Sequence, residues 1–218
     1  MDLTYESLKA RQRECRDSFP ESLALRTHRA LSWLNRAEQE QQDSDAQFLF
    51  LWIAFNAAYA NEIDDREKFS ERRLLVSFLH RLIDSDTEKL LYKSVWENFP
   101  KSIRLLIDNR YVFQPFWDYQ NGRIPESDWL ERFERSKVAA ARALGKMNTK
   151  KIIAIIFDRL YVLRNQVIHG GATWNSSVNR SQIRDGAAIL SIVVPIVIHL
   201  MMEHPNRLWG DPCYPVVN

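Results

Sequence analysis

From Asp43 to about residue 62 the apolar positions return every three or four residues. Phe48, Leu51, Trp52, Phe55 and Tyr59 fall on one stripe of an α-helix, with Asp43 or Ser44 placed to cap its start. The same rhythm predicts a helix over 21–41 and another over about 67–83, burying Leu74, Leu75, Phe78, Leu79 and Leu82 while Arg72, Arg73 and Arg81 face solvent or a ligand. Shorter helical pieces at 87–98 and 101–108 flank Pro100. Tyr111 to Pro125 is an aromatic connection punctuated by Pro115 and Asn121-Gly122. A helix capped by Ser127 or Asp128 runs to about Met147, with Leu130, Phe133, Lys137, Val138, Ala141 and Leu144 turned inward. Thr149 opens the next, whose stripe is Ile153, Ile156, Leu160, Leu163 and Val167 and which Gly170-Gly171 ends just past His169. A polar loop at 172–179 leads to a last helix at 180–203, apolar nearly all round from Ala187 and interrupted by Pro195. The expected class is all-α.

Composition sharpens this picture. Six glycines and eight prolines are few for 218 residues, which leaves long stretches of good helix formers. The expectation is one helical domain over 1–218, its helices at 45–62, 149–169 and 180–203 central and the region of about 87–130 an insertion. Thirty basic against 28 acidic side chains give a net charge of +2, which argues against a chain held to nucleic acid by bulk charge and leaves room for a local basic groove. Cys15 and Cys213 stand far apart without C-x-x-C spacing, so neither a disulfide scaffold nor a zinc knuckle is indicated. The opening residues lack the basic-then-apolar pattern of a secretory leader, and the apolar run 187–202 is short for a bilayer and broken by Ser191, Pro195 and His199. A cytoplasmic protein without a membrane span is expected.

Candidate chemistry concentrates at the end of the 149–169 helix. Asn165 and His169 are four apart, about 40° round a helix, and Asp158 and Tyr161 lie near the same edge. Arg164 falls beside the apolar stripe, its stem free to pack while the guanidinium reaches out. Two readings fit these residues. In the structural one, Arg164 makes an ion pair, Asn165 bonds to a neighbouring helix, and His169 favours the negative end of the helix dipole. In the functional one the three form a site.

The arginine, the polar residue after it and the histidine five positions on resemble the R-x4-6-H signature of the HEPN superfamily. The apolar helix before and Gly170-Gly171 behind match its setting. The segment Phe50-Leu51-Trp52-Ile53-Ala54-Phe55-Asn56-Ala57-Ala58-Tyr59 is similar to the early core helix of the Apea-like branch. The resemblance implies an α-helical bundle, usually a homodimer, in which many members cut RNA without metal and others only bind nucleotides or partner proteins. It places Arg164 and His169 at catalytic positions and Asn165 at the polar position between them. It also implies a toxin or defence role, with an antitoxin or other protein partner. The 87–130 region has no counterpart in it.

Those residue types suit cleavage of RNA by its own 2'-hydroxyl. An arginine fork matches phosphate oxygens, an imidazole exchanges protons near neutrality, and an amide orients either. Asn56 is a candidate support for the site or, more simply, a helix-to-helix hydrogen bond. Trp174, in the loop after His169, is a candidate for base stacking on single-stranded or looped RNA. The His199-to-His204 segment has the wrong spacing for a zinc helix, and no phosphate-cradling glycine loop is present, so no metal or cofactor is expected. The rival readings are a catalytically silent nucleotide- or RNA-binding module and a helical partner-binding domain.

Overall fold

A computed structural model describes residues 2–60, 71–98, 100–171, 173–177, 179–207, 209–212 and 214. The expectations for 61–62, 67–70 and Cys213 lie outside these residues. The protein is all-α, 78% helical, with ten α-helices and no strand among the described residues. It divides into two compact units, one of residues 1–90 and 186–218, the other of residues 91–185. The expected insertion falls mostly in the second unit, which also takes in the helix whose end carries Arg164 and His169.

The first unit contains α1 (Tyr5–Cys15), α2 (Glu21–Glu38), α3 (Ser44–Tyr59) and α4 (Glu71–Ser85). Helix α1 is not foreseen from the apolar pattern, because only Leu8 and Gln12 of its eleven residues are buried. It is held partly by polar contacts, including the Tyr5 amide donating to Glu38 Oε1 at 2.8 Å. Asp43, not Ser44, caps α3, its carboxylate accepting from the amides of Asp45 and Ala46 at 3.0 Å each. The predicted α3 stripe is buried throughout, and Phe55 lies within 6.2 Å, centroid to centroid, of Trp52, Tyr59 and Phe78. Of the residues predicted buried on α4, Leu74 is only half-buried. A buried arginine ties Gly210 and Asp211 to α2 and α3. Arg26 donates to the carbonyls of Ala58, Gly210 and Asp211 at 2.9, 3.0 and 2.7 Å.

The second unit holds α6 (Pro100–Asp108), α7 (Gln114–Gln120), α8 (Glu126–Gly145) and α9 (Thr149–Ile168), preceded by the single turn α5 (Leu90–Lys93) at the boundary and a π-helical turn at Ser94–Asn98. The segment expected as an irregular connection, 111–125, contains α7. Phe113 and Phe116 pack there with Trp129 and Phe133 of α8 as one aromatic cluster. That cluster corrects the register of α8. Its buried face is Trp129, Phe133, Ala140 and Ala143, whereas Leu130 and Val138 are exposed and Ala141 faces solvent. Trp129 sets this register because its ring meets Phe116 at 5.2 Å and Tyr119 at 6.1 Å, a larger apolar contact than Leu130 and Val138 offer. Helix α8 starts at Glu126 behind Pro125, so neither Ser127 nor Asp128 is its cap.

Helix α9 opens at Thr149, as expected, and is capped by Asn148, whose side chain accepts from the Lys151 amide at 3.0 Å. Helix α10 (Arg180–Glu203) begins in the second unit, continues in the first and runs through Pro195. By length and composition it could cross a membrane, yet 78% of its apolar window is buried in the protein, as in a core helix.

Candidate functional site

The Arg164-to-His169 segment ends α9 in a tight, hydrogen-bonded turn. His169 is the C-cap and donates its amide to the Asn165 carbonyl at 3.0 Å; Gly170 donates to Val167 at 3.2 Å and Gly171 to Gln166 at 2.7 Å. These two last bonds are the crossed pair of a Schellman cap, which needs a left-handed residue after the C-cap. Gly170 supplies it at φ +68°. Gly171 is favoured for a different reason: a Cβ there would stand in tight contact, 3.0 Å, with the Gln166 carbonyl oxygen. The cap leaves His169 exposed at the negative end of the helix.

One face of α9 then lines an open cleft of about 870 Å³. Val162, Asn165, Gln166 and His169 reach it because positions three, four and seven apart share a face. The opposite wall comes from Tyr111 and the 114, 117 and 121 positions of α7 and its C-cap, namely Gln114, Trp117 and Asn121. Gly171, Ser177, Asn179 and the first turn of α10 close a third side. Gln166 is the brace between walls: its Nε2 donates to the Tyr111 carbonyl, and its Oε1 accepts from Asn179 Nδ2 at 2.9 Å. The Tyr111 carbonyl also accepts from Trp117 Nε1 at 2.8 Å, which fixes the indole. Among the described lining residues His169 is the sole titratable side chain apart from the Tyr111 phenol; amides, hydroxyls and aromatic rings make up most of the rest.

The structure therefore brings Asn165 and His169 to one cleft. Arg164 lies beside it, not in its lining. Its Nη1 donates to Asn165 Oδ1 at 2.9 Å, its guanidinium lies 5.8 Å from the Tyr161 ring centroid, and its Nε is buried without a hydrogen-bond partner. Asn165 thus holds the arginine, where the structural reading had it bonding to a neighbouring helix, and Tyr161 serves as the platform under that arginine. Asp158 turns to Arg159, with oxygen and nitrogen 3.6 Å apart. Trp174 is 71% exposed and is not among the residues lining the cleft. Asn56 belongs to the first unit, not the one carrying the cleft; its Oδ1 is buried without a hydrogen-bond partner.

Gln114, Trp117, Asn121, Gln166 and Asn179 are site residues that sequence reasoning missed. The signal for the first three was the spacing of amides and an aromatic through 114–121, which the turn-rich composition of that stretch obscured. In the first unit, His204 of the His199-to-His204 segment bonds through Nε2 to the Ser85 carbonyl at 2.8 Å, and His199 is buried. No group of three or more His, Cys, Asp or Glu able to hold a metal occurs among the described residues.

No family model, curated protein or solved structure matches the chain.

Proposed function

We propose that the protein is a HEPN-type endoribonuclease in which Arg164, Asn165 and His169 cleave RNA by attack of a 2'-hydroxyl on the adjacent phosphate. The observation that carries the reading is the placement of His169 and Asn165 on the wall of one cleft, with Arg164 tied to Asn165 at its edge. An exposed imidazole beside a cleft is free to reach a substrate proton, and an arginine fork held next to it meets the geometry of a phosphate.

In the reaction the 2'-oxygen loses its proton to a base and bonds to phosphorus. The bond from phosphorus to the 5'-oxygen breaks, and that oxygen takes up a proton. The products are a 2',3'-cyclic phosphate and a 5'-hydroxyl. His169 supplies one of the two proton transfers, and Arg164 stabilises the charge that builds on the phosphoryl oxygens. To reach a phosphate the guanidinium must swing off Tyr161, which exposes the Nε now buried without a partner. Asn165 limits that swing. In-line attack places the two proton transfers on opposite sides of phosphorus, and a second copy of His169 from a homodimer supplies the other one.

Purified protein incubated with total RNA in EDTA tests this reading. Cleavage by the wild-type chain, lost in His169→Ala and in Arg164→Ala with helical content unchanged, is the expected result. Intact RNA that nevertheless binds the protein would favour the silent binding module instead.

A further inference from the structure

The cleft is larger and chemically more particular than a proton-transfer site requires. Its volume of about 870 Å³ lies in the range that encloses a small organic ligand. Asp and Glu are absent from its described walls, and no Lys or Arg lines it, so charge is not what it selects. Its walls offer instead a half-buried indole at Trp117, a phenol at Tyr111, and side-chain amides able both to donate and to accept.

Several of those amides already have structural partners. Gln166 spends both polar atoms on Tyr111 and Asn179, and Gln114 donates to Asp118 at 3.1 Å. Asn165 has given its oxygen to Arg164 and keeps its Nδ2. Asn121, exposed at the C-cap of α7, lines the same cleft as Asn165 and His169. A planar heterocycle with its own donors and acceptors is the ligand that fits a ring-faced, amide-edged and uncharged cleft. In RNA that ligand is a nucleobase.

We propose that this cleft is a nucleobase subsite in which Trp117 supplies the stacking surface and Asn121 reads the base edge, so that the 111–121 segment sets the sequence preference of the enzyme. The inference rests on the ribonuclease reading only for the word enzyme; the binding it describes does not depend on catalysis. Gln166 acts as a positioning residue, since its two bonds tie Tyr111 and Asn179 to α9. His169, on the same cleft, then lies beside the sugar-phosphate of the bound nucleotide.

Calorimetric titration of the full chain with the four ribonucleoside 3'-monophosphates, and with ribose 5-phosphate as a probe lacking the base, tests the inference. The nucleotides should bind with affinities that differ among bases, and ribose 5-phosphate at least about tenfold more weakly than the best of them, the value of one base-aromatic stack. Trp117→Ala should weaken nucleotide binding about tenfold and leave ribose 5-phosphate binding unchanged. Because Trp117 also bonds to Tyr111, the exposed Asn121→Asp is the second variant: it should change the ranking among bases with helical content preserved. Equal binding of ribose 5-phosphate and nucleotides, or an unaltered ranking in Asn121→Asp, overturns the subsite. RNA cleavage without base preference would sink the subsite and spare the ribonuclease; base-selective binding without cleavage would do the reverse.

Discussion

Replacing Gly170 by alanine perturbs the end of α9 in a way whose size follows from the backbone. Gly170 sits at φ +68°, and a Cβ built there meets nothing within 4 Å, so the cost is conformational and not steric. Holding an L-residue in the left-handed region costs roughly 1–2 kcal/mol. For a chain of this size each kcal/mol moves the melting temperature by about 2–4 °C. Gly170→Ala should therefore lower the midpoint by about 2–8 °C in a thermal melt followed by circular dichroism. Gly170→Asn should lose less, because asparagine tolerates that conformation better than alanine. The functional consequence is larger than the energetic one: if the helix end relaxes to relieve the strain, His169 as C-cap moves off the cleft wall, so cleavage should fall more steeply than stability. A Gly170→Ala protein that melts with the wild type, or Asn and Ala variants that melt together, would refute the claim that the left-handed cap defines this helix end.

Arg26→Met removes three charge-assisted bonds to the carbonyls of Ala58, Gly210 and Asp211 and should destabilise the chain by roughly 3 kcal/mol or more, read from a denaturant titration. Burial pushes the Asp185 carboxyl above its ordinary 3.8, against the opposing pull of Arg184 and of a hydrogen bond from Ser102. A raised carboxyl contributes most stability when protonated and loses it as pH climbs through the folded value, so Asp185→Asn should melt higher than wild type at neutral pH, the gap closing as pH falls toward 3.8. Arg164→Lys keeps the charge but loses the planar fork, and should cut RNA far more slowly than wild type while melting normally; wild-type rates would show that only charge matters there.

The all-α class was legible because α3 and α9 carry long apolar stripes at helical spacing and α10 a long apolar run, and the end of α9 was legible because the Gly170-Gly171 pair stops a helix. Helix α1 was hidden by its polarity. The α8 face was misassigned because periodicity fixes a helical stripe only to within about one residue, about 100° of rotation, and the aromatic cluster around Phe116 that selects the stripe is a tertiary contact. The same limit hid half of the cleft. His169 and Asn165 could be named from their spacing, but the wall facing them is built from α7, which Pro115 and the Asn121-Gly122 turn disguised as a loop. The spacing puts Arg164 beside the apolar stripe, yet its bond to Asn165 was not readable, since adjacent residues on a helix do not ordinarily face one another.

The chemistry of the RNA ends made by the wild-type protein in EDTA tests the central claim most directly. Attack by the 2'-hydroxyl predicts upstream fragments ending in a 2',3'-cyclic phosphate or 3'-phosphate and downstream fragments beginning with a 5'-hydroxyl, all absent with His169→Ala. Fragments ending in a 3'-hydroxyl, or cleavage that EDTA abolishes and a divalent cation restores, would contradict it.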